Sequence, residues 1–185
     1  MWKESLGLKG YFKIQSYDLE GNLIDSFEEN NLIMDKGRNA LATFCSGFAT
    51  PSSINRFAIG TMGSGDTVLD PKVYPEFNST LTSLFSEQSS SAYEYYIDFI
   101  PTTSGELATV MESDVGAGST LKVTLEDSLL SYEITLSASA ANNGSSVPYT
   151  EACFYAGTEI FAMRCFPVRV KDATTRLVIT WQFQF

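Results

Sequence analysis

The amino-acid sequence predicts an all-β protein, an antiparallel β-sandwich of Greek-key or jelly-roll kind with one short helix near residues 35–47. Three observations carry this. The last nine residues alternate: Leu177, Ile179, Trp181, Phe183 and Phe185 fall on one side of an extended chain, and Thr180, Gln182 and Gln184 on the other. Similar short alternating segments recur, close together and separated by turn residues, which favours a sandwich over a parallel sheet. Only one segment has the helical period instead. The 185 residues are expected to form one domain with a long loop or arm at 62–78.

Taken in order, Lys9 to Tyr17 reads as a strand, Asp18 to Asn22 as a turn, and Leu23 to Phe27 as a returning strand. Asn30 and Asn31 punctuate, and Leu32-Ile33-Met34 is a short apolar link. Asp35 can cap the helix, whose Leu41, Phe44, Cys45 and Phe48 share one face; Gly47 can stop it. Such a helix is expected to cover a sheet end or edge. Ile54 to Thr61 is a strand. Met62 to Asn78 is a long segment without periodicity, of the kind that serves as an arm. Thr80 to Gln88 and Glu106 to Met111 are candidate strands, and Tyr93, Tyr95, Ile97 and Phe99 mark a clear one. Leu121, Val123 and Leu125, then Tyr132, Ile134 and Leu136, are expected to pair as a hairpin before a small polar loop, Ser139 to Ser146.

The next hairpin can be read in register. With Gly157-Thr158 as a type II′ turn, Ala156 faces Glu159, Tyr155 faces Ile160, Cys153 faces Ala162 and Glu151 faces Arg164. This register places Cys153 and Cys165 on opposite faces and excludes a disulfide between them.

The bulk properties narrow the function classes. A formal net charge of −10 argues against binding nucleic acid through a basic face. The local exception is Arg164, Arg169, Lys171 and Arg176, which read as solvated strand-edge charges that discourage aggregation. Met1 to Ser5 has no apolar run behind it, and no stretch approaches the ~18 apolar residues of a membrane helix, so neither a secretory signal nor a membrane span is expected. Three cysteines, Cys45, Cys153 and Cys165, have unrelated spacings. With no histidine beside them they read as reduced, mostly buried thiols in a cytoplasmic product.

Reactive chemistry finds little support. Without histidine, the usual Ser-His-Asp and Cys-His arrangements cannot be built. Gly60-Thr61-Met62-Gly63-Ser64-Gly65-Asp66-Thr67 lacks the Gly-Lys ending of a phosphate loop. Paired carboxylates could serve a glycosidase, but nothing selects among 22 acids. Asp66, Asp70, Asp114 and Asp127 form no calcium-loop run. Sugar stacking on Tyr93, Tyr95 and Tyr96 competes with core packing of the same rings. No enzymatic activity, catalytic residue, metal or cofactor is expected.

Several segments together carry a resemblance: Asn31-Leu32-Ile33, Gly37-Arg38-Asn39-Ala40-Leu41-Ala42, Ile54 to Thr61 with the glycine-rich loop after it, Thr80-Leu81 and Glu87, Glu151 to Tyr155, Ile160 to Pro167, Lys171, and the aromatic final strand. In this order they resemble small β-sandwich virion proteins of tailed bacteriophages, of tail, neck or baseplate type. The chain departs from that pattern in having Cys153-Phe154 where Gly-Leu is usual after the glutamate, and in the glycine after Gly60-Thr61, which is displaced to Gly63. The resemblance implies a structural subunit, assembled in the bacterial host cytoplasm into the virion as a homo-oligomer and with other virion proteins. It implies structural roles for Asn31, Gly37, Gly60, Glu151 and Arg164. Candidate contact residues are Asp66, Leu69, Tyr74 and Phe77 in the arm, with Arg169 and Lys171. Two alternatives stand beside it: a capsid decoration protein, and a carbohydrate-binding module that contacts a host-surface glycan.

Overall fold

Alternating apolar residues set the strands. In β1 (Lys9–Tyr17), Phe12 and Ile14 are fully buried while Tyr11, Lys13 and Gln15, which alternate with them, keep part of their surface. The structure, a computed structural model, describes residues 8–47, 52–61, 80, 82–85, 93–100, 109–111 and 119–185. After β1 come β2 (Leu23–Ile33), α1 (Asp35–Ser46), β3 (Ile54–Gly60), β4 (Glu94–Ile100) and β5 (Thr109–Met111). Then follow β6 (Thr120–Glu126), β7 (Leu129–Leu136), β8 (Val147–Ala156), β9 (Glu159–Lys171) and β10 (Arg176–Gln184).

The strands form two antiparallel sheets packed face to face, as expected for an all-β sandwich. The first sheet runs β2-β1-β10-β7-β6 and the second β5-β4-β3-β8-β9. β2 joins them. Through Asn31 it pairs with β1, and its last residues, Leu32 and Ile33, pair with Met163 and Ala162 of β9. A strand that changes sheets in this way makes a corner of the sandwich. The pairings β3 with β8 and β1 with β10 join strands far apart in sequence, which is the Greek-key kind of connection.

Aromatic rings from both sheets meet in the interior. Phe154 of β8 lies 4.5 Å from the Tyr132 ring and 5.1 Å from Trp181 across the sandwich. On its own sheet it lies 5.5 Å from Phe57. Phe12 stacks on Phe166 at 5.4 Å, and Phe161 meets Phe183 edge-on at 5.2 Å. Leu177, Ile179, Trp181 and Phe183 of the final strand have no exposed surface. The strand stops at Gln184 rather than Phe185, which is half exposed and donates its amide to the Ser128 carbonyl at 3.0 Å.

Four expectations are corrected. First, the β8–β9 turn is as read, with Gly157 at φ 67, but Phe161 is an extra residue on β9. Phe154 therefore faces Ala162, Cys153 faces Met163 and Glu151 faces Cys165, one residue off the expected register. Glu151 and Arg164 do not pair, and Cys153 and Cys165 share a face as free thiols. Second, β2 runs straight through Asn30 and Asn31. Third, the helix begins from Met34, which makes no side-chain cap, and Asp35 is its first residue. Gly47 does end it, with φ 68. The expected apolar face is not a buried one: Phe44 is 69% exposed, Cys45 is exposed and Leu41 is only partly covered. Fourth, the described residues of the Thr80–Gln88 segment, 80 and 82–85, form no strand.

Candidate functional site

The five residues singled out for structural roles all sit at joints between elements. On β2, Asn31 lies opposite Gly10 of β1, and its amide occupies the space a side chain on Gly10 would need. Gly37 lies in the first turn of α1, directly against the Phe161 carbonyl; a Cβ there would collide with that backbone. The same carbonyl accepts the Met34 amide at 3.0 Å. So the β9 bulge and the helix start are one joint, and glycine is required by close approach.

Arg164 holds the corner where β2 leaves β9. It is paired with the Glu29 carboxylate, donates to the Asn30 carbonyl at 3.0 Å, and lies 5.9 Å over the Phe27 ring. Farther along, Arg169 reaches Asp25 at 3.1 Å. Its side chain is buried, and that burial lowers the pKa of its guanidinium.

Lys171 has no exposed surface. Its ammonium donates to the carbonyls of Ala138 (3.0 Å) and Asp172 (2.9 Å), tying the end of β9 to the 137–146 loop. Arg169 and Lys171 are therefore inward-facing residues, not the solvated edge charges expected. Burial pulls the Lys171 pKa from 10.5 down to about 8, against the nearby Asp172 carboxylate, which favours the charged form. Within that window the unfolded chain holds the extra proton, so stability should rise with pH through it. Lys171→Met should lack this rise. Urea midpoints measured for both proteins from neutral pH to about 10.5 test it, and parallel curves would count against a buried ammonium.

Gly60 and Glu151 meet on the outer face of the second sheet. Gly60 of β3 lies between Glu94 of β4 and Glu151 of β8, and Cys165 of β9 completes the row. Glu151 is fully buried and accepts the Phe85 amide at 2.9 Å. That bond holds the 82–85 segment onto this face. Leu84, which is fully buried, and Phe85 there pack with Met34, Cys153, Met163 and Cys165. The Cys165 thiol is raised well above its ordinary pKa, first by burial and then by Glu151, which opposes formation of a nucleophilic thiolate. Beside this closed patch, Arg56 donates to Asp98 at 3.0 Å and lies 5.0 Å over the Tyr96 ring.

The rings considered for sugar stacking are engaged in the fold. Tyr95 is buried, Tyr93 packs 6.2 Å from Tyr149, and Tyr96 lies beneath Arg56. The arm at 62–78, with Asp66, Leu69, Tyr74 and Phe77, lies outside the described residues, as do Asp70 and Asp114. Among the described residues no group of three or more His, Cys, Asp or Glu is placed to hold a metal ion, and no helix is long and apolar enough to cross a membrane.

The outer face of the first sheet has a different character. It is mostly polar, with Val178 and Leu129 as apolar exceptions, and its residues keep part of their surface. Tyr11 donates to Glu28 at 2.8 Å, Lys13 lies 3.8 Å from the same carboxylate, and Gln182 donates to Ser131 at 3.1 Å. The polar residues of this face were visible in the sequence one strand at a time. Their assembly into rows needs the register, which only the folded chain supplies. Compared with protein-family models, curated protein sequences and solved structures, the chain matches none.

Proposed function

We propose that the chain is a structural subunit of a tailed bacteriophage virion, of the tail, neck or baseplate apparatus, acting through assembly with copies of itself and with other virion proteins. The observation that carries this reading is where the motif residues fall. Asn31, Gly37 and Arg164 fix strand contact, helix docking and the sheet corner, while Glu151, beside Gly60 in the sheet, seats the 82–85 segment. A pattern that specifies joints specifies a shape, and a sandwich with a broad polar face offers that shape to neighbours. Net negative charge agrees with a place outside the DNA-filled compartment.

The reading is tested on particles. Antibody against the folded chain should label one fixed region of assembled tailed particles in electron micrographs. Label spread evenly over the capsid would favour the decoration role instead. A chain recovered wholly outside the particle fraction would refute virion assembly.

A further inference from the structure

The register of the first sheet lines up five side chains across its outer face: Glu28 on β2, Lys13 on β1, Thr180 on β10, Glu133 on β7 and Lys122 on β6. The row reads negative, positive, neutral, negative, positive. Glu28, Glu133 and Lys122 are exposed, and the Lys13 side chain keeps 31% of its surface. Neighbouring opposite charges are ordinary cross-strand pairing. That pairing does not require both pairs to run in the same sense, and here they do.

We infer that this face binds a second copy of the chain about a twofold axis that runs parallel to β10 and passes over Thr180. Such an axis reverses the row left to right. Glu28 then lies over Lys122 of the second copy, Lys13 over Glu133, and Thr180 over itself. All four charges meet opposites. The other twofold axis in the plane of the face, lying across the strands, would set each charge on its like and is excluded. Two further dyad neighbours suit the arrangement. Val178 and Gln182, on either side of Thr180 along β10, would each meet their own copy, an apolar pair and an amide pair. Arg176, nearer the strand start, turns its guanidinium onto the Tyr17 ring at 4.9 Å, away from the axis.

Sheets packed face to face cross at about 30°, so the outer members of the row are offset by a few ångströms. Lysine and glutamate side chains span that offset. Five strands at about 4.8 Å spacing give a footprint roughly 19 Å wide, so the interface lies at the small end of specific contacts. The dimer is therefore weak and strongly dependent on salt. Self-association through this face rests on the assembly reading above. A chain that is monomeric yet labels particles overturns the dimer and leaves virion assembly standing.

The test is sedimentation of the full chain at a low ionic strength of about 0.1 M, where charges act over about 10 Å so that the net charge of −10 on each copy is largely screened while facing pairs are not, and again at about 1 M salt, where they act over about 3 Å. Dimer is expected in the first condition and monomer in the second. Lys13→Glu and Glu133→Lys, each shown by circular dichroism to be folded, should each weaken self-association by roughly tenfold or more. Mixed in equal amounts, the two variants should form a heterodimer. The glutamate introduced at position 13 of one variant then faces the lysine introduced at position 133 of the other. The unchanged Glu133 of the first faces the unchanged Lys13 of the second. Lys13 and Glu133 belong to strands separated by β10, so no pairing within one chain produces this rescue. Wild-type protein that stays monomeric at low salt, or variants that fail to complement on mixing, would overturn the proposed face.

Discussion

Replacing Phe154 by alanine should lower the free energy of unfolding by about 3–5 kcal/mol, a large share of what holds a domain of this size together. The ring has no exposed surface, so its whole area is lost from the core. It is also the point where the two sheets meet. Tyr132 and Trp181 approach it from the first sheet at 4.5 and 5.1 Å, and Phe183 at 6.3 Å. Phe57 and Phe99 flank it within the second sheet at 5.5 and 6.3 Å. Rings this large cannot close the gap without leaving their rotamers, so a cavity remains. Phe154→Leu, which keeps most of the volume, should cost about 1.5 kcal/mol or less. Urea unfolding distinguishes the two by midpoint with little change in slope. A loss below about 1 kcal/mol for the alanine variant would mean that this interior is not packed around Phe154.

The same ring shows what the sequence makes legible. Trp181 and Phe183 were readable as core because burial on one face of a strand imposes a period of two. The β6–β7 hairpin was readable for that reason, and so was the small polar loop after it. Phe154 was not readable as the centre. The β8 strand is buried on both faces, and its sequence carries no alternation there. The β8–β9 register failed for a related reason. The extra residue, Phe161, is fixed by contacts from Gly37 and Met34, more than a hundred residues earlier, and a local turn rule has no access to them. Charge misled in a similar way. Arg169 and Lys171 look like surface residues until the fold brings Asp25 of β2 to the one and the Ala138 carbonyl of the 137–146 loop to the other. Helical spacing gave the extent of α1 nearly correctly but not the direction of its apolar stripe, which leaves Phe44 exposed.

Arg164→Ala should cost about 2–3 kcal/mol, because one guanidinium makes contacts at the corner that no backbone ladder supplies. Before Leu32, β2 pairs with β1 and not with β9, so the junction between the sheets depends on side chains. Arg164 spans it with two donors, one to the Glu29 carboxylate and one to the Asn30 carbonyl, and covers Phe27 with its plane. Its side chain is only 13% exposed while Glu29 is 42% exposed, so the carboxylate can be rehydrated when the arginine is removed; this keeps the cost below that of a fully buried pair. Arg164→Lys should recover only part of the loss, since an ammonium cannot place two donors in a fixed plane. A double-mutant cycle with Glu29→Gln should give a coupling of about 1 kcal/mol or more. The corner also sets the position of Glu28, the charge at the β2 end of the row proposed to bind a second copy. Loosening it should therefore weaken the dimer as well as the fold, whereas Arg169→Ala, farther along the same seam, should affect chiefly the fold. If Arg164→Ala costs only a few tenths of a kcal/mol and β2 amides exchange no faster, the corner is held by the Leu32 and Ile33 pairing alone.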